Sequence, residues 1–154
     1  MRSLTLIRAR RLLAVVVGAL VVTLCLTVAP ASATSDWTRG SAPSTAKYRT
    51  ASSKIYGGKM SLGVWWKGTD VSVNGRVDDT AGDGRCAIVR IRYQIYYKNK
   101  WSGWHHRTVG ERACGKGNFG IVYSIRGRYP TRKVKARVCL TKKNSIVTCD
   151  PKWR

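Results

Sequence analysis

Residues 87–98 read AIVRIRYQIYYK, and their alternation decides the fold. Val89, Ile91, Tyr93, Ile95 and Tyr97 fall on one side of an extended chain, with Arg90, Arg92, Gln94, Tyr96 and Lys98 on the other. A period of two is the pleat of a β-strand with one buried and one solvated face. The pattern recurs in 133–141, where Val134, Ala136, Val138 and Leu140 alternate with Lys133, Lys135, Arg137 and Cys139. It recurs again in 70–77, with Val71, Val73 and Val77 inward and Arg76 outward.

Working outward from these three, candidate strands are 60–66, 70–77, 87–98, 104–109, 119–125, 133–141 and 146–149. Turn residues separate most of them: Gly57-Gly58, Asp78-Asp79, Gly82-Asp83-Gly84, Gly115-Lys116-Gly117 and Tyr129-Pro130. No helical period and no internal repeat is present. About seven short strands at this spacing predict an all-β fold over 54–154, an antiparallel β-sandwich of immunoglobulin-like or jelly-roll-like type. Residues 34–53 are rich in Ser, Thr, Ala and Gly without an apolar period, and read as a flexible N-terminal arm.

The first 33 residues read as an export signal. Arg2, Arg8, Arg10 and Arg11 form a basic start, an apolar run covers 12–28, and Ala31-Ser32-Ala33 supplies the small-x-small cleavage pattern. A retained membrane anchor is the alternative, because the run approaches the length of a span. Leu24 before Cys25 is not the small residue a lipoprotein signal requires. The expected product is secreted and extracellular, with cell-wall association as a further expectation, monomeric and without a membrane span.

The 154 residues hold 29 Lys and Arg against 7 Asp and Glu, a formal charge of +22. Four of the bases and none of the acids lie in 1–33, so cleavage leaves +18 on 121 residues. An excess of that size attracts polyanions without selecting one: nucleic acid, wall polymers, anionic lipid headgroups and acidic polysaccharides all qualify. Loss of Cys25 leaves Cys86, Cys114, Cys139 and Cys149, an even count that reads as two disulfides in a secreted domain. Intervals of 28, 25 and 10 residues do not suit zinc. A hairpin centred on Lys100 opposes Cys86 to Cys114, and one centred on Asn144 opposes Cys139 to Cys149, so these are the pairs expected.

Period two places Arg76, Arg90, Arg92, Lys133, Lys135 and Arg137 on solvated sheet surfaces as candidate anion-binding residues, with Arg126, Arg128 and Arg132 near the margin. If their strands share one sheet, they form one cationic face. The plainer alternative is that they keep exposed strands soluble. The segment 98–107, KNKWSGWHHR, mixes aromatic rings with cations, and makes Lys98, Lys100, Trp101, Trp104 and His106 a second candidate binding group.

Catalytic chemistry is poorly supplied. Glu111 is the lone glutamate, and His105 and His106 on a strand point to opposite faces. No catalytic residue, metal site or cofactor is expected. The run 78–84, DDTAGDG, fails the calcium-loop pattern at Ala81 and Arg90 and reads as a turn.

From 71 to 154 several local patterns stand together: Val71-Ser72-Val73-x-Gly75, Gly84-Arg85-Cys86, Tyr93-Gln94-x-Tyr96, Trp101-Ser102-Gly103-Trp104-His105, Ala113-Cys114-Gly115-Lys116-Gly117, Ala136-Arg137-Val138-Cys139 and Cys149-Asp150-Pro151-x-Trp153-Arg154. This stretch resembles the small secreted, uncharacterised β proteins of streptomycete-type actinobacteria. The resemblance implies secretion and a disulfide-bonded β fold, and brings no catalytic residues. The expected function is non-enzymatic binding of an anionic extracellular or cell-envelope polymer. The alternatives are a secreted protein-binding module, such as an inhibitor using the 98–106 loop, and a small nuclease built on Glu111, a histidine and an arginine.

Overall fold

The computed structural model describes residues 36–154; the expected signal 1–33 and Cys25 lie outside the described residues. Ten strands follow one another: β1 (Trp37–Arg39), β2 (Lys47–Ile55), β3 (Gly58–Lys67), β4 (Asp70–Asp79), β5 (Cys86–Tyr97), β6 (Lys100–Trp101), β7 (His105–Cys114), β8 (Phe119–Gly127), β9 (Thr131–Lys142) and β10 (Ser145–Cys149). They form two antiparallel sheets. The first runs β1-β8-β4-β3-β2; the second runs β10-β9-β5, with β6 and then β7 along the other edge of β5.

Each sheet turns an apolar face to one shared core, giving a β-sandwich-like fold. Leu62, Val64, Val73 and Val77 come from the first sheet, and Val89, Ile91, Ala136 and Val138 from the second. All eight are buried, and each large aliphatic side chain removed from water contributes about 1.5–3 kcal/mol. Tyr97 departs from the expected inward set: it sits at the end of β5 beside the hairpin turn and is exposed.

The seven expected strands correspond to β3, β4, β5, β7, β8, β9 and β10; β1, β2 and β6 are additional. The stretch expected as a flexible arm, 34–53, instead contains β1 and most of β2. Trp37 is only 3% exposed and packs edge-on to Tyr93 at 5.2 Å. The Tyr93 hydroxyl donates to Asp36 at 2.9 Å; burial first, and then this carboxylate, push its pKa up to about 12. The β2 strand lacks an apolar signal because its inward positions include Arg49 and Ser53. Arg49 donates to the Val134 carbonyl of the opposite sheet. The Ser53 hydroxyl accepts from Val138 N–H at 3.1 Å and donates to buried Asp150 at 2.7 Å. Satisfied in this way, the polar groups sit between the sheets without an open desolvation penalty.

Cys86 pairs with Cys114 and Cys139 with Cys149, as the hairpin symmetry predicts. Each bridge contributes about 3 kcal/mol by restricting the unfolded chain. The turns themselves lie slightly off the expected centres. The first is at Lys98-Asn99 (φ 48° and 60°) and the second at Lys143-Asn144 (φ 47° and 70°), both with the two positive φ values of a type I′ hairpin. A register shift between Ala87 and Val89 then restores the Cys86–Cys114 opposition.

In β4 the chain needs a glycine. A Cβ on Gly75 would lie 2.2 Å from the Ser61 carbonyl oxygen of the neighbouring strand, beside the register shift between β4 and β8. We expect Gly75→Ala to lower stability by on the order of 2–3 kcal/mol, read as a lower urea midpoint at unchanged m-value. Gly103→Ala, where a Cβ meets nothing within 4 Å, leaves the midpoint in place.

Candidate anion-binding face

The outer face of the second sheet is built by residues that alternate with the core. Along β5, Cys86, Ile88, Arg90, Arg92 and Gln94 point away from the core set. Across the ladder, Arg90 opposes Arg137 and Arg92 opposes Lys135 on β9; on the other side, Arg90 opposes Thr108 and Arg92 opposes His106 on β7. Both disulfides stand at one end of this face, and the cations follow them along β5. Two directly opposed like-charged pairs destabilise the sheet, on the order of 1 kcal/mol each.

Indole rings are stacked among these cations. The Arg92 guanidinium lies 4.5 Å from the Trp104 ring centre and 4.9 Å from that of Trp153. Arg137 lies 4.2 Å from the same Trp153 ring, and Arg132 lies 4.1 Å from Trp101. His106 packs against Trp153 at 5.5 Å. Contacts of this kind contribute about 0.5–2 kcal/mol each, enough to offset the cross-strand repulsion while leaving the charge in place. The Nε atoms of Arg90, Arg92 and Arg137 are buried without a hydrogen-bond acceptor among the described residues.

No carboxylate of the described residues lies within ion-pair distance of Arg90, Arg92, Arg132, Lys133, Lys135 or Arg137. The acids are engaged elsewhere: Asp70 with Arg126, Asp78 with Arg76, Asp83 with Arg85, Asp36 with Tyr93 and His105, and Glu111 with Tyr123. Asp79 accepts from the Ala81 and Gly115 N–H groups and so organises the expected 78–84 turn.

Asp150 is buried. Burial alone would raise its carboxyl, but hydrogen bonds from Lys152 N–H and Ser53, with the charges of Arg154 and Lys152, hold it below the ordinary carboxylate value. From that anchor, residues 150–154 run back along β9, with Asp150 N–H bonded to Val138 and Arg154 bonded in both directions to Ala136. This run carries Trp153 onto the arginines.

One strained position adjoins the row. Lys133 has φ 54°, near the start of β9, at a register shift against β5 between Arg92 and Gln94. An L-residue held there costs on the order of 1 kcal/mol, and such bulges re-aim side chains.

The structure thus brings Arg90, Arg92, Lys133, Lys135, Arg137, Trp101, Trp104 and His106 to one face. Arg76 does not join them. It lies on β4, in the first sheet, ion-paired with Asp78 and stacked on Phe119. Sheet membership is set by the crossover between β4 and β5, which local periodicity does not encode. Lys98 and Lys100 lie at the hairpin end, outside the stacked row. Trp153 stands in the sequence only within the C-terminal pattern and is not among the residues expected at the site: its one local signal is an aromatic residue between Lys152 and Arg154 after the last strand. His105 packs on the core side against Tyr93 and His106 on the outer side against Trp153, so the two remain apart.

The potential of the face is visible in its own titratable groups. Burial, then the positive charges of Arg90 and Arg92, lower the pKa of Arg137. Burial, then Arg90, Arg137, Arg92 and His105, lower that of His106. A histidine depressed on folding binds its proton more readily in the unfolded chain, so its effect is absent at neutral pH and destabilises the fold as pH falls through the unfolded value near 6.5. We expect the thermal midpoint of the protein to drop between about pH 7 and about pH 5 by more than that of His106→Gln; equal pH profiles for the two would refute the assigned field.

Comparison with known protein families, with curated proteins and with solved structures found no match to this chain.

Proposed function

We propose that this protein is a secreted, non-enzymatic binder of an anionic polymer, and that the polymer lies along the outer face of the second sheet. The observation that carries this reading is the arginine row without an ion-paired carboxylate: opposed like charges, with Arg92 and Arg137 stacked on tryptophans and the charge of buried Asp150 offsetting Arg137 only in part. A surface kept basic only for solubility gains nothing from setting Arg90 directly opposite Arg137. Stacking covers the flat faces of Arg92 and Arg137 and, apart from the Arg137 bond to the Asp150 carbonyl at 3.3 Å, leaves in-plane N–H edges as the direction for an acceptor. Successive outward residues on a strand stand about 6.6 Å apart, so Arg90 and Arg92 offer evenly spaced positive charges to a linear chain. The two disulfides are consistent with an oxidising compartment. Together with the export signal and the resemblance to secreted actinobacterial proteins, they favour a polymer of the cell envelope as the partner.

Counterion release gives the test a magnitude. If four charges on a flexible polyanion are neutralised, the slope of about −0.7 per charge weakens binding about 50-fold between about 50 and about 200 mM salt. With a phosphate-containing wall polymer as probe, we expect R90Q/R137Q to flatten that slope by about 1.4 and to remain folded with a thermal midpoint little changed, because removal of the opposed like-charged pair offsets loss of the Arg137–Trp153 stack. Arg76→Gln should bind as the parent does. Salt-indifferent retention, or an equal loss in Arg76→Gln, would sink this reading.

A further inference from the structure

Beyond the end of the arginine row nearer Lys133, a cleft of about 640 Å³ opens, within the range of small-ligand sites. Two of its walls are aromatic: Trp66 from β3 and Trp104, which is 41% exposed, from the segment before β7. Its charged lining is entirely cationic, with Arg132, Lys133 and Lys135 from β9, Arg92 from β5, Arg49 from β2 and Arg154 from the tail. No acidic residue among the described residues lines it.

The chemistry of a fitting occupant follows from those two features together. A bare inorganic anion would satisfy the cations and leave both indole walls unused. An apolar molecule would leave the positive charges of the lining without an anion among the described residues, apart from that of Arg154, which alone is ion-paired, with Asp150. The occupant must offer a ring with an apolar face together with an anionic substituent. Its hydrogen-bonding groups must also be acceptors, because Arg and Lys donate and cannot accept. Among the described residues, the only side-chain hydroxyl in the lining is that of Thr131, which already donates to the Tyr129 carbonyl. A nucleotide carries its anionic group a ribose away from the base, so the ring and the charge are not offered together. A pyranose with an acid on the ring offers both: its C–H face lies on an indole, its hydroxyl and acid oxygens accept from the cations, and its hydroxyl protons remain with solvent.

We propose that this cleft seats one anionic sugar unit, its ring against Trp104 and its carboxylate or phosphate among Arg132, Lys133 and Lys135. The inference rests on the polyanion reading of the same face and names the kind of monomer it selects. The left-handed backbone of Lys133 supports it. The β9 bulge sets a lysine at a conformation that favours glycine, on the rim of this cleft.

The test uses calorimetry at low salt with five probes: glucuronate, glucose 6-phosphate, inorganic phosphate, glucose and adenosine monophosphate. We expect glucuronate or glucose 6-phosphate to bind at least about tenfold more tightly than inorganic phosphate or glucose; the stronger of the two identifies the acid group. W104A should abolish that preference. K133G should weaken the anionic sugars about tenfold while its thermal midpoint stays level or rises, because glycine relieves the positive φ. Equal affinity for inorganic phosphate, tightest binding of adenosine monophosphate, or unchanged sugar binding in K133G would each overturn the assignment. If sugar preference is absent while the parent still binds wall polymer in a salt-dependent way, the cleft assignment alone fails. If polymer binding is absent too, both readings fail.

Discussion

The pleat of β5 is the constraint on which the rest of the structure depends. This twelve-residue strand lies between β9 and β7, and its alternate residues belong to two different environments. Ala87, Val89, Ile91, Tyr93 and Ile95 fill the core, while Arg90 and Arg92 face outward. A slip of one residue would exchange the two sets, exposing the core and placing two guanidinium groups inside it. The energetic gap between right and wrong register is therefore large. The type I′ turn at Lys98-Asn99 fixes the strand at one end, and the Cys86–Cys114 bridge fixes it at the other. Every residue of the candidate face inherits its position from that register.

Once the register is set, the outer face has a conflict that the core does not. Opposed Arg90 and Arg137 repel, as do Arg92 and Lys135, and no carboxylate of the described residues stands between them. The fold resolves this by stacking. Trp104 and Trp153 both contact Arg92, and Trp153 also contacts Arg137. An ion pair would have cancelled the charge; an indole face stabilises the cation and leaves its charge available. Under the proposed function, that difference separates this face from one built only to stay dissolved. Stacking would also order the row before the proposed partner arrives, so that less entropy would be lost on binding.

What could be read from the sequence divides along physical lines. Period two, turn residues and the symmetry of the cysteines are local signals, and they correctly located seven strands and both disulfides. The strands without that signal are very short or are held by contacts with residues distant in sequence. β2 turns Arg49 and Ser53 inward, and only their partners Val134, Val138 and Asp150, distant in sequence, make that tolerable. β1 is three residues long and depends on the single insertion of Trp37. The candidate site shows the same division. Arg90, Arg92, Lys135 and Arg137 were legible because their outward direction is local. The exclusion of Arg76 was not, because it depends on which sheet β4 joins. The bulge at Lys133 was not legible either, since a lysine carries no preference for positive φ.

The tail shows how a buried group can shape a surface it does not reach. Asp150 is held in the interior by Ser53 and by the Lys152 N–H, and its own N–H is bonded to Val138. Its ionised state is favoured there, so the anchor is strongest at pH values well above the carboxyl pKa and is lost as acid protonates it. Arg154 pairs with Ala136 four residues later. Between these two fixed points lie Pro151, Lys152 and Trp153, and the spacing leaves the indole over Arg92 and Arg137. One of the seven acids thus acts on the cationic face chiefly by tying down the segment that carries the stacking ring, while its charge also favours the protonated Arg137. The other six are engaged with partners outside the row. The positive charge of the face is therefore a consequence of where the acids are placed, as much as of how many bases the chain contains.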